Sequence, residues 1–222
     1  MTGLLDHTML RVTDLETSLS WYRDHLEYEL KERYDGADFT IAYLGPTDAH
    51  EDAAMLELTS NHDDDALEMG DAWGHVAVRV SDVEAAYAEL MDEGVTDYRP
   101  PSENPGYAFV TDPDGHEIEL VERDHGARWS LDHTMLRVTD ADAALGYWLR
   151  KFEYEPAGRW EAETFANYFM RPPEAPPEAM DLELTYNYDG RTYTHGDAWG
   201  HLCVRVDDLT DAWDRLHRRE AP

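Results

Sequence analysis

The chain is poor in cysteine and lysine. Cys203 is the only cysteine among 222 residues, which excludes an internal disulfide and a thiolate-rich metal site. Lys31 and Lys151 are the only lysines among 18 basic residues. No apolar run approaches the roughly 18 residues of a membrane-spanning helix, and residues 1–14 lack the apolar segment of a signal peptide. We therefore expect a cytoplasmic protein without a membrane partner.

Acidic residues dominate the charge of the chain. The 49 acidic residues exceed the 18 basic ones, which gives a formal net charge of −31. Because nucleic acids and anionic membranes would be repelled, we expect a small-molecule partner and no nucleic acid. The composition resembles that of cytosolic proteins from salt-accumulating halophiles. Seven Trp and 13 Tyr residues provide enough apolar surface for a packed core.

Three segments recur at an offset of 126 residues. The decapeptide LDHTMLRVTD stands at residues 5–14 and 131–140, and GDAWGH at 70–75 and 196–201. The pattern ELTxN begins at Glu57 and again at Glu183. This tandem duplication predicts one module at residues 1–126 and a second at 127–222. We expect the second module to be truncated after its second helix, because nothing after its Pro222 matches residues 97–126.

Each copy follows the order of strand, helix and several strands. Residues 5–12 alternate polar and apolar side chains and lead through Thr13-Asp14 into a helical pattern at 15–26. A strand at 73–80 leads into a second helix at 83–92, which Gly94 ends. Further strands are predicted near 28–34, 39–44, 54–60, 107–111 and 116–122. The fold class is therefore α+β, with two βαβββ units in the first module.

Histidine and glutamate side chains occupy one face of four predicted strands, whose other face is apolar. These side chains are His7, Glu57, His75 and Glu119. A single such residue is usually solvated, but the first three recur in the second copy. Two imidazoles and two carboxylates without sulfur suit Zn²⁺, Ni²⁺, Co²⁺ or Fe²⁺. The non-recurring histidines are expected at the surface, namely His25, His50, His62, His116 and His125.

The motifs resemble bacterial-type glyoxalase I, the lactoylglutathione lyase of the vicinal oxygen chelate superfamily. The resemblance rests on LDHTMLRVTD, ELTxN, GDAWGH and DPDGHEIELVE, and it spans copy one and copy two to its end. It implies metal ligands at His7, Glu57, His75 and Glu119 in copy one, and at His133, Glu183 and His201 in copy two. It also implies thiol-binding roles for Arg11 and Asn61, or for Arg137 and Asn187.

In that family, metal sites form where two modules meet. The resemblance therefore implies one complete four-residue site, made of His75, Glu119, His133 and Glu183. A degenerate three-residue site would contain His7, Glu57 and His201, and its fourth ligand would fall in the missing segment. We expect one divalent metal ion per chain, with Ni, Co or Zn as candidates. The assembly is expected to be a monomer with two pseudo-symmetric modules, or a homodimer.

The resemblance implies a reaction as well. The family isomerises the hemithioacetal of methylglyoxal and a cytosolic thiol to the S-lactoyl thioester, which detoxifies methylglyoxal. By family position, Glu119 is the catalytic base and Glu183 acts on the other side of the substrate. The segment at residues 98–107 is shorter than in the family and has no lysine. The thiol cosubstrate is therefore expected to be glutathione or, to suit the shorter segment, γ-glutamylcysteine.

Two other functions fit the same pattern. An extradiol-type dioxygenase would use Fe²⁺ with two histidines and one glutamate inside a single module, and the ELTxN glutamate argues against it. A catalytically dead binding protein of the same fold would hold no metal. Oxygen uptake with a catechol tests the first alternative, and the metal content of the purified protein tests the second.

Overall fold

The computed structural model describes residues 3–62, 66–101 and 106–217. The first unit comprises β1 (Leu4–Arg11), α1 (Leu15–Leu26), β2 (Tyr28–Asp35), β3 (Phe39–Pro46) and β4 (Met55–Asn61). The second comprises β5 (Trp73–Val80), α2 (Val83–Asp92), β6 (Thr96–Arg99), β7 (Tyr107–Thr111) and β8 (Glu117–Glu122). The third comprises β9 (Leu131–Val138), α3 (Ala141–Phe152), β10 (Glu155–Glu161), β11 (Phe165–Arg171) and β12 (Asp181–Asn187). The fourth contains β13 (Trp199–Arg205) and α4 (Leu209–His217).

The strands form two sheets, and each sheet combines units from both copies of the repeat. The larger sheet has the order β10-β11-β12-β9-β5-β8-β7-β6, and the smaller has the order β13-β1-β4-β3-β2. Antiparallel pairing of β5 with β9 places Ala77 opposite His133, and pairing of β1 with β13 places His7 opposite Cys203. The α+β fold class is confirmed. The module boundary between residues 126 and 127 stays a prediction, because both sheets cross it.

Aspartate residues fix the starts of the helices. The Asp14 carboxylate accepts hydrogen bonds from the backbone N–H groups of Glu16 and Thr17. The Asp82 carboxylate accepts one from the N–H of Ala85. These side chains satisfy donors that the first helical turn leaves without partners. The helix starts predicted at residues 15 and 83 are therefore confirmed, and β6 is the second strand of the second βαβββ unit, for which the sequence pattern gave no bounds.

The apolar face of each sheet packs under the helices. Leu10, Leu56 and Leu58 are fully buried there, as are Leu182 and Leu184 of the other copy. The opposite face of each sheet is left free to carry polar side chains, as the alternation along the strands predicts. None of the helices in the described part of the chain is long and apolar enough to span a membrane.

His116 corrects one expectation, since it is fully buried rather than at the surface. Its Nε2 donates a hydrogen bond to the carbonyl oxygen of Arg11 at 2.8 Å, and its ring lies edge-on to Trp73. The backbone N–H of His116 also donates to the Asp112 carboxylate, which closes the turn before β8. The turn thus carries the ring inward, where it ties β8 to the end of β1.

Candidate metal centre

Four adjacent strands of the larger sheet each place one polar side chain at the same level. These strands are β12, β9, β5 and β8, and they carry Glu183, His133, His75 and Glu119 in that order. Parallel pairing puts Glu119 beside Ala77, and the antiparallel pair puts Ala77 opposite His133. All four side chains are buried. The sheet therefore brings together the four residues that the family resemblance assigned to one site.

The ligand atoms of the four-residue site lie close around a common point. His133 Nε2 is 3.0 Å from Glu119 Oε2 and 2.9 Å from Glu183 Oε2. His75 Nε2 is 2.9 Å from Glu119 Oε2 and 3.5 Å from Glu183 Oε2. The two Nε2 atoms are 3.2 Å apart. Each imidazole therefore faces both carboxylates across a space of single-ion size.

These separations fit a shared divalent cation. Ligands bonded at about 2.1 Å and at right angles to each other lie about 3.0 Å apart. Two imidazole nitrogens and two carboxylate oxygens suit Zn²⁺, Ni²⁺ or Co²⁺ and leave out the thiolates that Cu⁺ prefers. Both the spacing and the chemistry of the donor set are thus those of a metal site.

The charges of the four groups support one another. Burial lowers the pKa of His75, but the Glu119 and Glu183 carboxylates outweigh burial and raise it. Burial raises the pKa of Glu119, but His75 and His133 lower it to about 2. Burial also raises the pKa of Glu183, but His133 outweighs burial and the pKa is lowered. Two ionised carboxylates therefore face one point, where they favour positive charge.

The smaller sheet carries a three-residue site of His7, Glu57 and His201. Glu57 Oε2 lies 3.0 Å from His7 Nε2 and 3.5 Å from His201 Nε2, and the two Nε2 atoms are 3.2 Å apart. Glu57 is buried, whereas the His201 side chain is 47% exposed. Within the described residues, no strand pairs with β13 on the side where β8 pairs with β5.

The chain matches the family described as the Glyoxalase/Bleomycin resistance protein/Dioxygenase superfamily over residues 4–120 and again over 130–222. The chain belongs to this superfamily. The double match confirms that two tandem modules of the family are present. Since both matches include the strands that carry the candidate ligands, the two sites lie on the family's own framework.

Several similar proteins within the superfamily are lactoylglutathione lyases by name. The chain is 30% identical to a probable chloroplastic lactoylglutathione lyase of Arabidopsis thaliana, over 91% of this chain and 59% of that protein. It is 27% identical to the lactoylglutathione lyase of Schizosaccharomyces pombe, over 100% of this chain and 87% of that protein. The chain thus spans less than two thirds of the Arabidopsis protein. A V278E mutant of glyoxalase I from Zea mays superposes with a TM-score of 0.86 at 25% identity, over 97% of this chain and 78% of that one.

In this superfamily member, a cavity of about 570 Å³ opens above the four-residue site. Arg137 and Asn187, named for thiol binding, both line it. Arg137 Nη1 donates hydrogen bonds to the carbonyl oxygens of Asp71 and Trp73, each at 3.0 Å. Asn187 Nδ2 donates to the Tyr193 hydroxyl at 2.8 Å. Both side chains are therefore held in place at the cavity wall, and their role in thiol binding stays a prediction.

The corresponding pair of the other copy lies in the smaller sheet. Arg11 Nη1 donates a hydrogen bond to the carbonyl oxygen of Asp197. Asn61 is exposed at the end of β4. Neither residue lines the cavity above the four-residue site. Of the two alternative pairs that the sequence offered, Arg137 and Asn187 are the ones next to the complete ligand set.

Four further residues of the cavity wall were missed by the sequence reasoning. Phe109 lies edge-on to His75 and Phe169 edge-on to His133, with ring centroids 5.2 and 5.4 Å apart. Strand pairing places each phenylalanine directly beside a glutamate ligand, so the alternation pattern would have found them once the strand order was known. Arg99 and Arg191 also line the cavity. No sequence motif marked these two arginines, which add positive charge to the cavity wall.

Proposed function

We propose that this chain is a glyoxalase I, which isomerises the hemithioacetal of methylglyoxal and a thiol to the S-lactoyl thioester. The observation that carries the proposal is the buried group of two histidines and two glutamates beneath a cavity lined by arginines. The names of the similar proteins support the same activity. Formation of the thioester by the purified, metal-loaded protein tests the proposal, and its absence would contradict it.

The reaction moves one proton between neighbouring carbons. The C–H bond and the O–H bond at the carbon next to sulfur break, a C–H bond and an O–H bond form at the former ketone carbon and its oxygen, and the carbonyl thereby moves next to sulfur. When bound, a divalent cation supplies Lewis-acid stabilisation of the negative charge on the substrate oxygens. Glu119, whose carboxylate lines the cavity, is assigned the removal of the proton by its position in the family motif. Glu183, on the opposite side of the two histidines, assists the return of the proton.

Catalysis is assigned to the four-residue site alone. The three-residue site lacks a counterpart of Glu119 within the described residues, so it has no second carboxylate to act on the substrate carbon. We therefore treat His7, Glu57 and His201 as a catalytically degenerate set. Its participation is tested by substituting His201 with Ala, which should leave thioester formation unchanged.

The thiol is proposed to be γ-glutamylcysteine in preference to glutathione. Arg137 and Asn187 would hold the γ-glutamyl end that both thiols share. The segment at residues 98–107 is shorter than in the family and lacks the family's lysine near the terminal glycine of glutathione, and Arg99 is its only basic residue; its residues 102–105 lie outside the described part of the chain. Comparing kcat/KM for the two thiols decides the matter, and a clear preference for glutathione would contradict the proposal.

We also propose which metal ions the site binds and that the protein works in a salt-rich cytoplasm. Nickel, cobalt or zinc suits the donor set, and turnover after reconstitution with each ion will rank them. The net charge of −31 suits a salt-rich cytoplasm, where ions screen repulsion between carboxylates. Activity that rises with salt concentration would support this setting, and loss of activity in molar salt would contradict it.

A further inference from the structure

His133 is held from behind by a buried carboxylate. Its Nδ1 lies 2.9 Å from Asp132 Oδ2, while its Nε2 faces the four-residue site. A histidine that binds a metal through one ring nitrogen commonly donates the other N–H to a carboxylate, which fixes the tautomer and the ring direction. Asp132 therefore occupies the place of an orienting partner for His133.

Two arginines in turn fix Asp132. Arg79 Nε lies 3.0 Å from Asp132 Oδ1, and Arg123 donates to the same carboxylate from Nε at 2.9 Å and from Nη2 at 2.8 Å. Asp132 is buried, so an unpaired charge there would be costly. Because two guanidinium groups donate three hydrogen bonds to it, the carboxylate has little freedom to turn away from His133.

Arg79 links the two copies of the repeat through this carboxylate. It lies on β5 four residues after His75, yet its Nη1 and Nη2 donate to the carbonyl oxygens of Glu178 and Ala179, at 2.9 and 3.0 Å. Its side chain is 3% exposed. The hydrogen bond from Arg79 to Asp132 thus ties β5, which carries His75, to β9, which carries His133.

We propose that Asp132, fixed by Arg79 and Arg123, is a positioning residue that aims His133 Nε2 into the four-residue site and thereby strengthens its hold on a divalent cation. The proposal rests on the metal-binding part of the proposed function and is independent of the reaction. Sequence motifs gave no role to Asp132, although it stands within the repeated decapeptide.

The three-residue site provides an internal contrast. Asp6 lies 2.9 Å from His7 Nδ1, as Asp132 does from His133. The equivalent of Arg79 is Arg205, whose Nε is 3.8 Å from Asp6 Oδ1 and whose side chain is 47% exposed. Among the described residues, no second arginine forms an ion pair with Asp6, whereas Arg123 forms one with Asp132. The same carboxylate–histidine pair is therefore firmly anchored in one site and loosely in the other.

The experiment titrates the protein with Co²⁺ and follows its visible absorption, which reports the ligand geometry. All variants and their parent carry His201→Ala and Cys203→Ala, because Asp6, His7 and Cys203 could also hold a metal; among the described residues, only the four-residue site then keeps three or more candidate ligands. Asp132→Asn should weaken Co²⁺ binding about 10- to 100-fold and alter the spectrum. Asp132→Glu should restore part of the affinity. Asp6→Asn, the matched control, should bind as this parent does.

Arg123→Gln keeps the proposal testable if Asp132→Asn fails to fold. Its side chain is 35% exposed, so the substitution removes one anchor of Asp132 at a small cost in stability. It should give an affinity between those of the parent and Asp132→Asn. Circular dichroism and thermal unfolding without metal identify the folded variants.

Three outcomes would overturn the inference. One is that folded Arg123→Gln, or folded Asp132→Asn, binds Co²⁺ with the parent's affinity and spectrum. Another is that Asp6→Asn weakens binding as much as these variants do. The third is a parent that binds no Co²⁺ at all, which would also remove the metal from the proposed function.

Discussion

The four-residue site and the three-residue site arise from the same repeated segments but are not equivalent. Both contain two histidines and one buried glutamate with ligand atoms 2.9 to 3.5 Å apart. Only the four-residue site gains Glu119 from β8, a strand that lies outside the repeated motifs. Duplication of the motifs thus duplicated three ligands, whereas the completeness of a site depends on the neighbouring strand.

The surroundings of the two sites differ at matched positions as well. Phe169 packs edge-on against His133 where Tyr43 packs against His7, and Ala77 stands where the other copy has Cys203. Burial, together with Glu57, raises the pKa of Tyr43 to about 12. The three-residue site is therefore lined by more polar groups and is open to solvent through His201. The framework is shared, but the chemical environment is not.

The largest difference between the sites should appear when their glutamates are neutralised. Glu119→Gln should lower kcat by about 10²- to 10⁴-fold with metal still bound, because the base is removed while an oxygen ligand stays. Glu57→Gln, in the three-residue site, should leave kcat within about twofold of the parent. Thioester formation and metal content measure both effects. Full activity of Glu119→Gln would contradict its role as the base.

Matched core substitutions should show that the two copies are packed alike. Leu58 and Leu184 occupy equivalent positions, and both are buried under helices. Leu58→Ala and Leu184→Ala should each lower the free energy of unfolding by about 2–5 kcal/mol, since each leaves a cavity. Urea denaturation measures the change. A much smaller cost at Leu58 would mean that looser packing, and not the missing ligand alone, separates the two sites.

The arginines that follow the first histidine of each copy should differ in their effect on the thiol. Arg137→Ala should raise the KM for the thiol by about 10- to 100-fold, because a hydrogen bond to a charged group is lost next to the working site. Arg11→Ala is the matched control and should leave KM unchanged. Initial rates at varied thiol concentration give both values. Equal effects of the two substitutions would place catalysis in both sites.

The smallest effect is expected at Arg191 on the rim of the cavity. Its Nη2 pairs with Asp189 Oδ2 in an exposed ion pair. Arg191→Ala should raise the KM for the thiol by about two- to fivefold, and added salt should shrink the difference between variant and parent. Asp189→Ala, which frees the guanidinium, should lower KM slightly. A salt-independent change would mean that Arg191 acts through packing and not through charge.

Much of the fold follows from local pattern. The strand at Trp73–Val80 and the helices at Leu15–Leu26 and Val83–Asp92 were predicted to the residue, because alternation and aspartate caps act over a few positions. The burial of His116 and the bounds of β6 were not predicted. Both depend on what lies across the sheet, which a local pattern does not contain.

Only part of the candidate site was predictable from the sequence. Repetition singled out the histidines and the first glutamate, and the family resemblance assigned the partners across the modules. Phe109, Arg99 and Arg191 escaped notice because they come from a neighbouring strand or from loops that carry no motif. The anchoring of Asp132 by Arg79 was equally hidden, since the two residues are 53 positions apart in the chain.

By itself, the sequence determined the duplicated plan of this protein: the residue types, their faces on the strands and the acidic surface that favours a small-molecule partner. The tertiary structure shows that β5 and β9 are neighbours and that His75 and His133 share one point, as the family resemblance implied, and it alone decided that Arg79 anchors Asp132 behind His133. The physical reason is that alternation fixes which face a side chain takes, whereas pairing of distant strands fixes which side chains meet. In the larger sheet, β8 adds a fourth ligand to the three that the repeat supplies. In the smaller sheet, the described chain has no such strand, and the site keeps three ligands.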